Sequence, residues 1–260
     1  MQAASRSTAA EPALPAAVRP VREVRAEAGW VHPEWAAELP WLAQGTTGRD
    51  APGDMGFFGA SPVAETLGRW RALRDRTGIP RAVHARQVHG ARIAVHEAGP
   101  PGIHILDDTD GHATVTPGVL LTVSVADCVP VALVDPDHRR IALLHAGWRG
   151  AAAGMLETGV AVLARLGSRA SELRAHLGPA ICGPCYEVGP EVLAALALPA
   201  SGPARLDLRA FLAGRALAAG IDANALSVST HCTRCGDAFF SHRGGEAGRQ
   251  VGYLGIRSDG

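Results

Sequence analysis

The chain has 260 residues, 47% of them apolar and 19% charged, enough to bury one large core or two small ones. Lys+Arg and Asp+Glu balance at 25 each, which excludes a protein held to nucleic acid or an anionic membrane by net charge, though not a local patch. No run of about 18 uninterrupted apolar residues is present to cross a bilayer. The Ala/Pro-rich start lacks the basic region and continuous apolar run of a secretory signal. Five cysteines is an odd number, and Cys128 stands apart from the pairs Cys182/Cys185 and Cys232/Cys235. Reduced thiols in a cytoplasmic protein are the simplest account.

Residues 1–37 mix Ala, Pro, Arg and Glu without a period and read as a flexible tail, or one partly docked through Trp30 and Trp35. Without repeats or long linkers, residues 38–260 read as a single catalytic domain. Residues 55–60 are a loop between Gly and Pro breakers. Residues 62–77 carry Val63, Leu67, Trp70 and Leu73 at helical spacing, stopped by Gly78 and Pro80. Strands at 82–88 and 92–96 flank a turn at His89-Gly90. Val119–Val125 is apolar and β-branched, as a buried strand is. Strands at 131–134 and 141–145 are joined through Asp135-Pro136-Asp137, which has turn chemistry. A helix at 150–166, a strand at 173–177, helices at 190–197 and 208–219 and a strand at 225–229 complete the pattern. The irregular mixture predicts an α+β or layered α/β fold rather than a Rossmann sheet.

Cys128 follows directly on a buried strand in Ala126-Asp127-Cys128-Val129-Pro130. His145 ends another strand, before Ala146-Gly147-Trp148-Arg149-Gly150 opens a helix. Side chains at neighbouring strand ends converge on one rim, and flanking glycines let a ligand approach. His89, in its turn, can close over the same rim. Two imidazoles and a thiolate are a three-ligand zinc set with a position left for water, the pattern of catalytic sites. A bland alternative stands beside it: a buried Cys serves as a small hydrophobe, and a strand-end His as a satisfied core residue.

Gln87-Val88-His89-Gly90, Ala126–Pro130 and His145–Gly150 resemble the three signature blocks of the YfiH-like family, also called laccase-domain or multicopper polyphenol oxidoreductase proteins. Further blocks agree in order: Thr109-Asp110-Gly111, Leu177-Gly178-Pro179-Ala180-Ile181 leading to Cys185-Tyr186-Glu187-Val188-Gly189, Cys232-Thr233 leading to Phe239-Phe240-Ser241, and Gly248-Arg249-Gln250. The resemblance covers about residues 40–257. It implies a layered α/β sandwich resembling the catalytic domain of cytotoxic necrotizing factors, with a metal site of His89, Cys128 and His145 holding zinc, or copper. It also implies purine nucleoside phosphorylase activity with phosphate as co-substrate, accompanied by adenosine deaminase activity. Copper-dependent phenol oxidation and editing of peptidoglycan precursors are its other associations. The chain departs from the family where residues 53–60 lack an Asn, where His242-Arg243-Gly244 replaces a Tyr-Arg-Arg run, and where Cys182 replaces a Gly.

Phosphorolysis needs an anion clamp, for which the planar fork of arginine is suited. Arg149, at a predicted helix start, is the first candidate, with Arg49 and Arg243 behind it; exposed arginines in surface pairs are the alternative. The His-x-Glu…Pro-Cys-x-x-Cys signature of nucleobase deaminases is absent, which leaves Asp127 as a proton carrier or, equally, a turn cap. The paired cysteines are open to a closed four-thiolate zinc site, with ordinary packing or an incidental disulfide favoured over it. A cysteine hydrolase using Cys128 as nucleophile and His145 as base is a rival class, and a metal-sequestering binder a third. The expected partners are small purine nucleosides and phosphate, with no nucleic acid or membrane, for a monomer or weak homodimer.

Overall fold

Successive side chains of a strand point to opposite faces, and in the middle of this chain both faces are apolar. Along Val129–Asp135, Val129, Val131 and Leu133 enter one cluster while Ala132 and Val134 face another. Along Arg140–Ala146, Ala142, Leu144 and Ala146 join the first cluster, Ile141 and Leu143 the second. Strands of this kind must be covered on both sides, and the chain covers them with a second sheet on one face and helices on the other.

The computed structural model describes residues 14–57 and 61–258. The first seven-stranded sheet runs Arg19–Val21, Leu226–Ser229, Arg174–Leu177, Val129–Asp135, Arg140–Ala146, Gly111–Thr114, Ile93–His96. The second runs Val24–Ala26, Gly29–Val31, Leu42–Thr46, Gln250–Ile256, Val119–Val125, Arg81–Arg86, Gly102–Asp107. Val83, Leu121, Val123 and Leu254 of the second sheet meet Val134, Ile141 and Leu143 of the first in the layer between them. Helices Met155–Arg165 and Leu208–Ala218 pack on the outside of the first sheet through Leu156, Leu163 and Leu212. Helix Val63–Thr77 covers the second through Trp70 and Leu73. The expected layered α+β architecture is therefore present, in four layers.

Of the two N-terminal readings, the flexible tail needs correction from Val18 onward in favour of the segment docked through Trp30 and Trp35. Arg19–Val21 pairs in parallel with Ser227–Ser229, while Val24–Val31 forms a hairpin on the edge of the other sheet. The segment thus straddles both sheets and cannot be a free tail. Glu23 is buried, accepting from His176 (2.8 Å) and Ser229 (2.8 Å), and Trp35 is only 3% exposed, stacked on His32. Residues 1–13 of the expected tail, and the last three of the 55–60 loop, lie outside the described residues.

The helix expected at 150–166 is two helices, Trp148–Ala152 and Met155–Arg165, because Gly154 takes a left-handed conformation (φ 80°) between them. Strands at Gly102–Asp107, Gly111–Thr114 and Gln250–Ile256 were not expected from the sequence pattern. In Gln250–Ile256 the glycines that obscure the pattern are packing devices: a Cβ on Gly252 would come 2.9 Å from Pro130, and one on Gly255 2.5 Å from Ile79.

Since Trp35 closes the inter-sheet layer from the N-terminal side, Trp35→Ala should lower unfolding free energy by about 3–5 kcal/mol. Denaturant titration measures this, and a loss under about 1 kcal/mol would return the segment to the status of a dispensable tail.

Candidate active site

The chain crosses from the second sheet to the first between Val125 and Val129, and Cys128 sits on that crossing. Asp127 turns the backbone there with φ 88°, a conformation rare for residues with a side chain. The antiparallel register then pairs Pro130 with His145 and Val129 with Ala146. Extending it by one pair sets Cys128 across from Gly147, where a Cβ would come 2.9 Å from the Cys128 sulfur and 3.2 Å from the His89 ring. His145 shares strand parity with Ile141 and Leu143, so it projects into the inter-sheet layer at its open end.

His89 comes from the turn after Arg81–Arg86 and also has positive φ, 61°. Its loop is held by a residue whose role the sequence did not reveal, Asp110. One carboxylate oxygen accepts from His89 N (2.9 Å) and His145 Nδ1 (2.9 Å), the other from Val88 N (3.1 Å) and Gly90 N (2.9 Å). Asp110 is fully buried, and its carbonyl accepts from His145 N at 2.7 Å. Burial opposes its ionisation, but the imidazole of His145 and the Gly90 and Val88 N–H groups outweigh it and hold its pKa below the ordinary value. Because His145 donates through Nδ1, its Nε2 is left to face Cys128.

One donor atom each from His89, Cys128 and His145 lies within 4.8 Å of the others. His89 is exposed, Cys128 half-buried and His145 buried, so the set opens to solvent on one side. The donor chemistry, two imidazoles and a thiol with a carboxylate behind one imidazole, fits zinc or copper. Without metal, burial disfavours the Cys128 thiolate, but the charge and hydrogen bonds of His145 and His89 prevail and lower its pKa from 9.0 to about 6. For His145 burial lowers the pKa, and the Cys128 thiolate with the Asp110 hydrogen bond raises it from 6.5 to about 9. The metal-free pair is thus a thiolate and an imidazolium between these values.

The three donors line a cleft of about 360 Å³ together with Phe57, His84, Arg86, Gln87, Ser124, His242 and Arg249. Phe57 stacks on Trp70 with ring centroids 5.0 Å apart, which fixes it as an aromatic wall. His84 has its pKa lowered to about 4, chiefly by burial, and is neutral at pH 7. Thr122 gives its hydroxyl proton to the Val83 carbonyl (2.6 Å), so His84 Nδ1–H donates to Thr122 (3.0 Å). The His84 Nε2 is then free to accept from Ser124 Oγ (3.3 Å).

The anion candidates named from sequence lie elsewhere. None of Arg49, Arg149 and Arg243 lines this cleft. Arg49 is taken up by Glu246, by the Asp237 and Phe239 carbonyls and by the face of Phe240. Arg149 is exposed, lying over Trp148 at the start of a five-residue helix. Arg243 donates to the Glu187 carbonyl and covers Tyr186. Asp127 takes the turn-capping role: one oxygen accepts from Thr233 Oγ1 (2.5 Å) and the other from Arg243 N (2.6 Å). The guanidinium groups at the cleft are Arg86 and Arg249. Arg249 lies in the matched block Gly248-Arg249-Gln250, the only sequence signal it carried; Arg86 had none.

Comparison with known proteins shows what the chain is similar to. The profile of the family described as multi-copper polyphenol oxidoreductase laccase matches residues 62–257. The chain is 37% identical over 207 residues to a purine nucleoside phosphorylase of Deinococcus radiodurans, covering 75% of this chain and 78% of that protein. It is 36% identical over 180 residues to adenosine deaminase RL5 of an unknown prokaryotic organism, covering 62% of this chain and 69% of the relative. The crystal structure of the Bacillus licheniformis hypothetical protein YfiH superposes with a TM-score of 0.81 at 28% identity, over 89% of this chain and 97% of that one.

The pairing of Cys128 with His145 has a direct chemical readout. In protein stripped of metal, the rate of Cys128 alkylation by iodoacetamide, followed by peptide mass spectrometry, should rise through pH about 6 and level off above it. A rate still climbing through pH 9 would mean an ordinary thiol.

Proposed function

The chain belongs to the multi-copper polyphenol oxidoreductase laccase family, and from that membership we propose that it cleaves purine nucleosides with phosphate, a purine nucleoside phosphorylase-type reaction, at the cleft of His89, Cys128 and His145. The observation that carries the reading is the company these donors keep. One cleft of nucleoside-compatible volume combines them with an aromatic wall, Phe57, and two guanidinium groups, Arg86 and Arg249.

In this reading the C1′–N9 bond breaks with its electron pair leaving on the purine, and a phosphate oxygen bonds to C1′. The transferred sugar carries positive charge as the bond loosens, so the phosphate must be held close and its orientation fixed. Arg249 is pre-set for this by its own backbone: Nη1 donates to the carbonyls of Glu246, Ala247 and Gly248, and its N–H donates to Asp54 (2.9 Å). Among the described residues Arg86 pairs with the exposed Asp107 (3.5 Å) and Asp108 (3.6 Å), weak surface pairs that a phosphate dianion displaces. Gln87 is clamped on the backbone of Ser124 through both ends of its amide, which stiffens the cleft wall. His89, Cys128 and His145 would hold zinc, or copper in its place, and a bound ion would polarise an oxygen of substrate or water as a Lewis acid.

Similarity to a relative named adenosine deaminase supports deamination of adenosine as an accompanying activity. Asp127 is a poor proton carrier for it, since both its oxygens are engaged. His84 lines the cleft, but its ring nitrogens are likewise engaged, Nδ1 with Thr122 and Nε2 with Ser124 Oγ.

Zinc-loaded protein incubated with adenosine or inosine should release free base and ribose 1-phosphate only when phosphate is present, as read by chromatography. Arg249→Ala should raise the KM for phosphate by about tenfold or more, the cost of one charged hydrogen-bond donor. No product at enzyme concentrations comparable to substrate would overturn the assignment. Turnover that survives chelation yet dies on alkylation would move it to a thiol hydrolase using Cys128 and His145.

A further inference from the structure

Far from the cleft in function, though not in the chain's path, four sulfurs converge. Cys182 and Cys185 bracket the turn Gly183–Cys185, closed by Cys185 N donating to the Cys182 carbonyl at 3.0 Å. Cys232 and Cys235 bracket a second turn, closed by Gly236 N donating to the Cys232 carbonyl at 3.2 Å. The two turns are brought together by backbone pairing of Ala180 with Cys232, with Thr233 N donating to the Ala180 carbonyl at 3.2 Å. Arg234 adds a cross-tie to the Cys185 carbonyl at 2.9 Å.

All four sulfurs lie within 4.8 Å of one another, and those of Cys182 and Cys235 are 4.0 Å apart. Four thiolates about 2.3 Å from a zinc ion lie about 3.8 Å from each other at the corners of a tetrahedron, so the observed spacing is that of ligands around one ion. It is not that of disulfides, whose sulfurs are about 2.05 Å apart, and all four cysteines are free. Against the packing-or-disulfide reading favoured from sequence stand four free thiols gathered around a common centre. A second feature points the same way. The Cys232 sulfur accepts three backbone N–H groups, from Cys182 (3.3 Å), Arg234 (3.4 Å) and Cys235 (3.5 Å). Three donors aimed at one sulfur suit a thiolate, which accepts only, rather than a thiol.

We propose that Cys182, Cys185, Cys232 and Cys235 form a second, closed tetrathiolate site for a structural zinc ion. The ligands are all sulfur, which selects a soft or borderline cation over calcium or magnesium, and four protein ligands leave no position for substrate. None of the four lines the catalytic cleft. The ion instead fastens two turns that both hold the residue before Cys128. Thr233, between the second pair, donates to Asp127 Oδ1 at 2.5 Å, and Ile181, just before the first pair, donates its N–H to the Asp127 carbonyl at 3.2 Å. Asp127 is the left-handed residue that turns the chain into Cys128. The four-sulfur staple is thus a positioning device for Cys128, acting through the two hydrogen bonds to Asp127.

The test separates the two metal sites. Cys128→Ala protein, which lacks the catalytic donor set, is dialysed against zinc, freed of excess and analysed for metal. It should retain about one zinc per chain, and cobalt(II) in its place should give the intense sulfur-to-metal charge-transfer absorption of a tetrathiolate. In the same protein, the four cysteines should resist alkylation until the ion is removed, then react together. Adding Cys182→Ser and Cys235→Ser should abolish both zinc and absorption. A Cys128→Ala protein that holds no zinc, four thiols alkylated equally fast with and without it, or disulfides in the intact mass of the reduced and re-purified protein would each overturn the proposal. If the serine variant fails to fold, the metal content and thiol protection of Cys128→Ala still decide.

Discussion

A single buried carboxylate governs the geometry of the cleft. Asp110 collects three successive backbone N–H groups, of Val88, His89 and Gly90, and the Nδ1–H of His145 on its two oxygens. A carboxylate removed from water at this depth is costly unless its lone pairs are met, and here each oxygen accepts twice. In return it holds His89 in a left-handed conformation that the residue would seldom adopt alone, and it sets the tautomer of His145. The sheet register reinforces the arrangement, since the Asp110 carbonyl also accepts the N–H of His145 itself. Two donors from distant parts of the sequence are thereby referred to one anchor.

The third donor arrives by a different route. Cys128 lies where the chain leaves one sheet for the other, and its position depends on the crossing at Asp127. The cleft is thus a product of the seam between two sheets rather than of either sheet alone. Gly147, facing Cys128 across the hairpin register, keeps that seam open where any side chain would fill it. The four-cysteine cluster is tied to the same crossing through the hydrogen bonds of Thr233 and Ile181 to Asp127.

Much of this was legible in the sequence, and the failures have physical reasons. Val119–Val125 and the pair of strands around Asp135-Pro136-Asp137 declare themselves because a strand covered on both faces is apolar throughout. His89, Cys128 and His145 stood beside strand ends, and the structure brings them together. The N-terminal strands were illegible because each is three residues long, and Arg19–Val21 takes its pairing from the distant Leu226–Ser229. Asp110 was visible only as part of a short matched block, since accepting four hydrogen bonds from elements that precede and follow it leaves no local pattern. Arg149 stands at a helix start, as its sequence suggests, but outside the lining of the cleft, because a helix start is legible locally and its direction is not. Arg86 and Arg249, ordinary in sequence, reach the cleft through the ends of strands in the second sheet.

The claim that Asp110 holds the donor set can be measured at the site itself. Asp110→Asn keeps the side chain's shape but presents an N–H₂ group to backbone donors that need an acceptor. The free zinc concentration that protects Cys128 from alkylation should rise by about 10- to 100-fold in this variant, the usual effect of losing a carboxylate behind a ligating histidine. Protection at the same zinc concentration as in the unaltered protein would contradict the account, because the three donors would then be placed without the carboxylate that is held to place them.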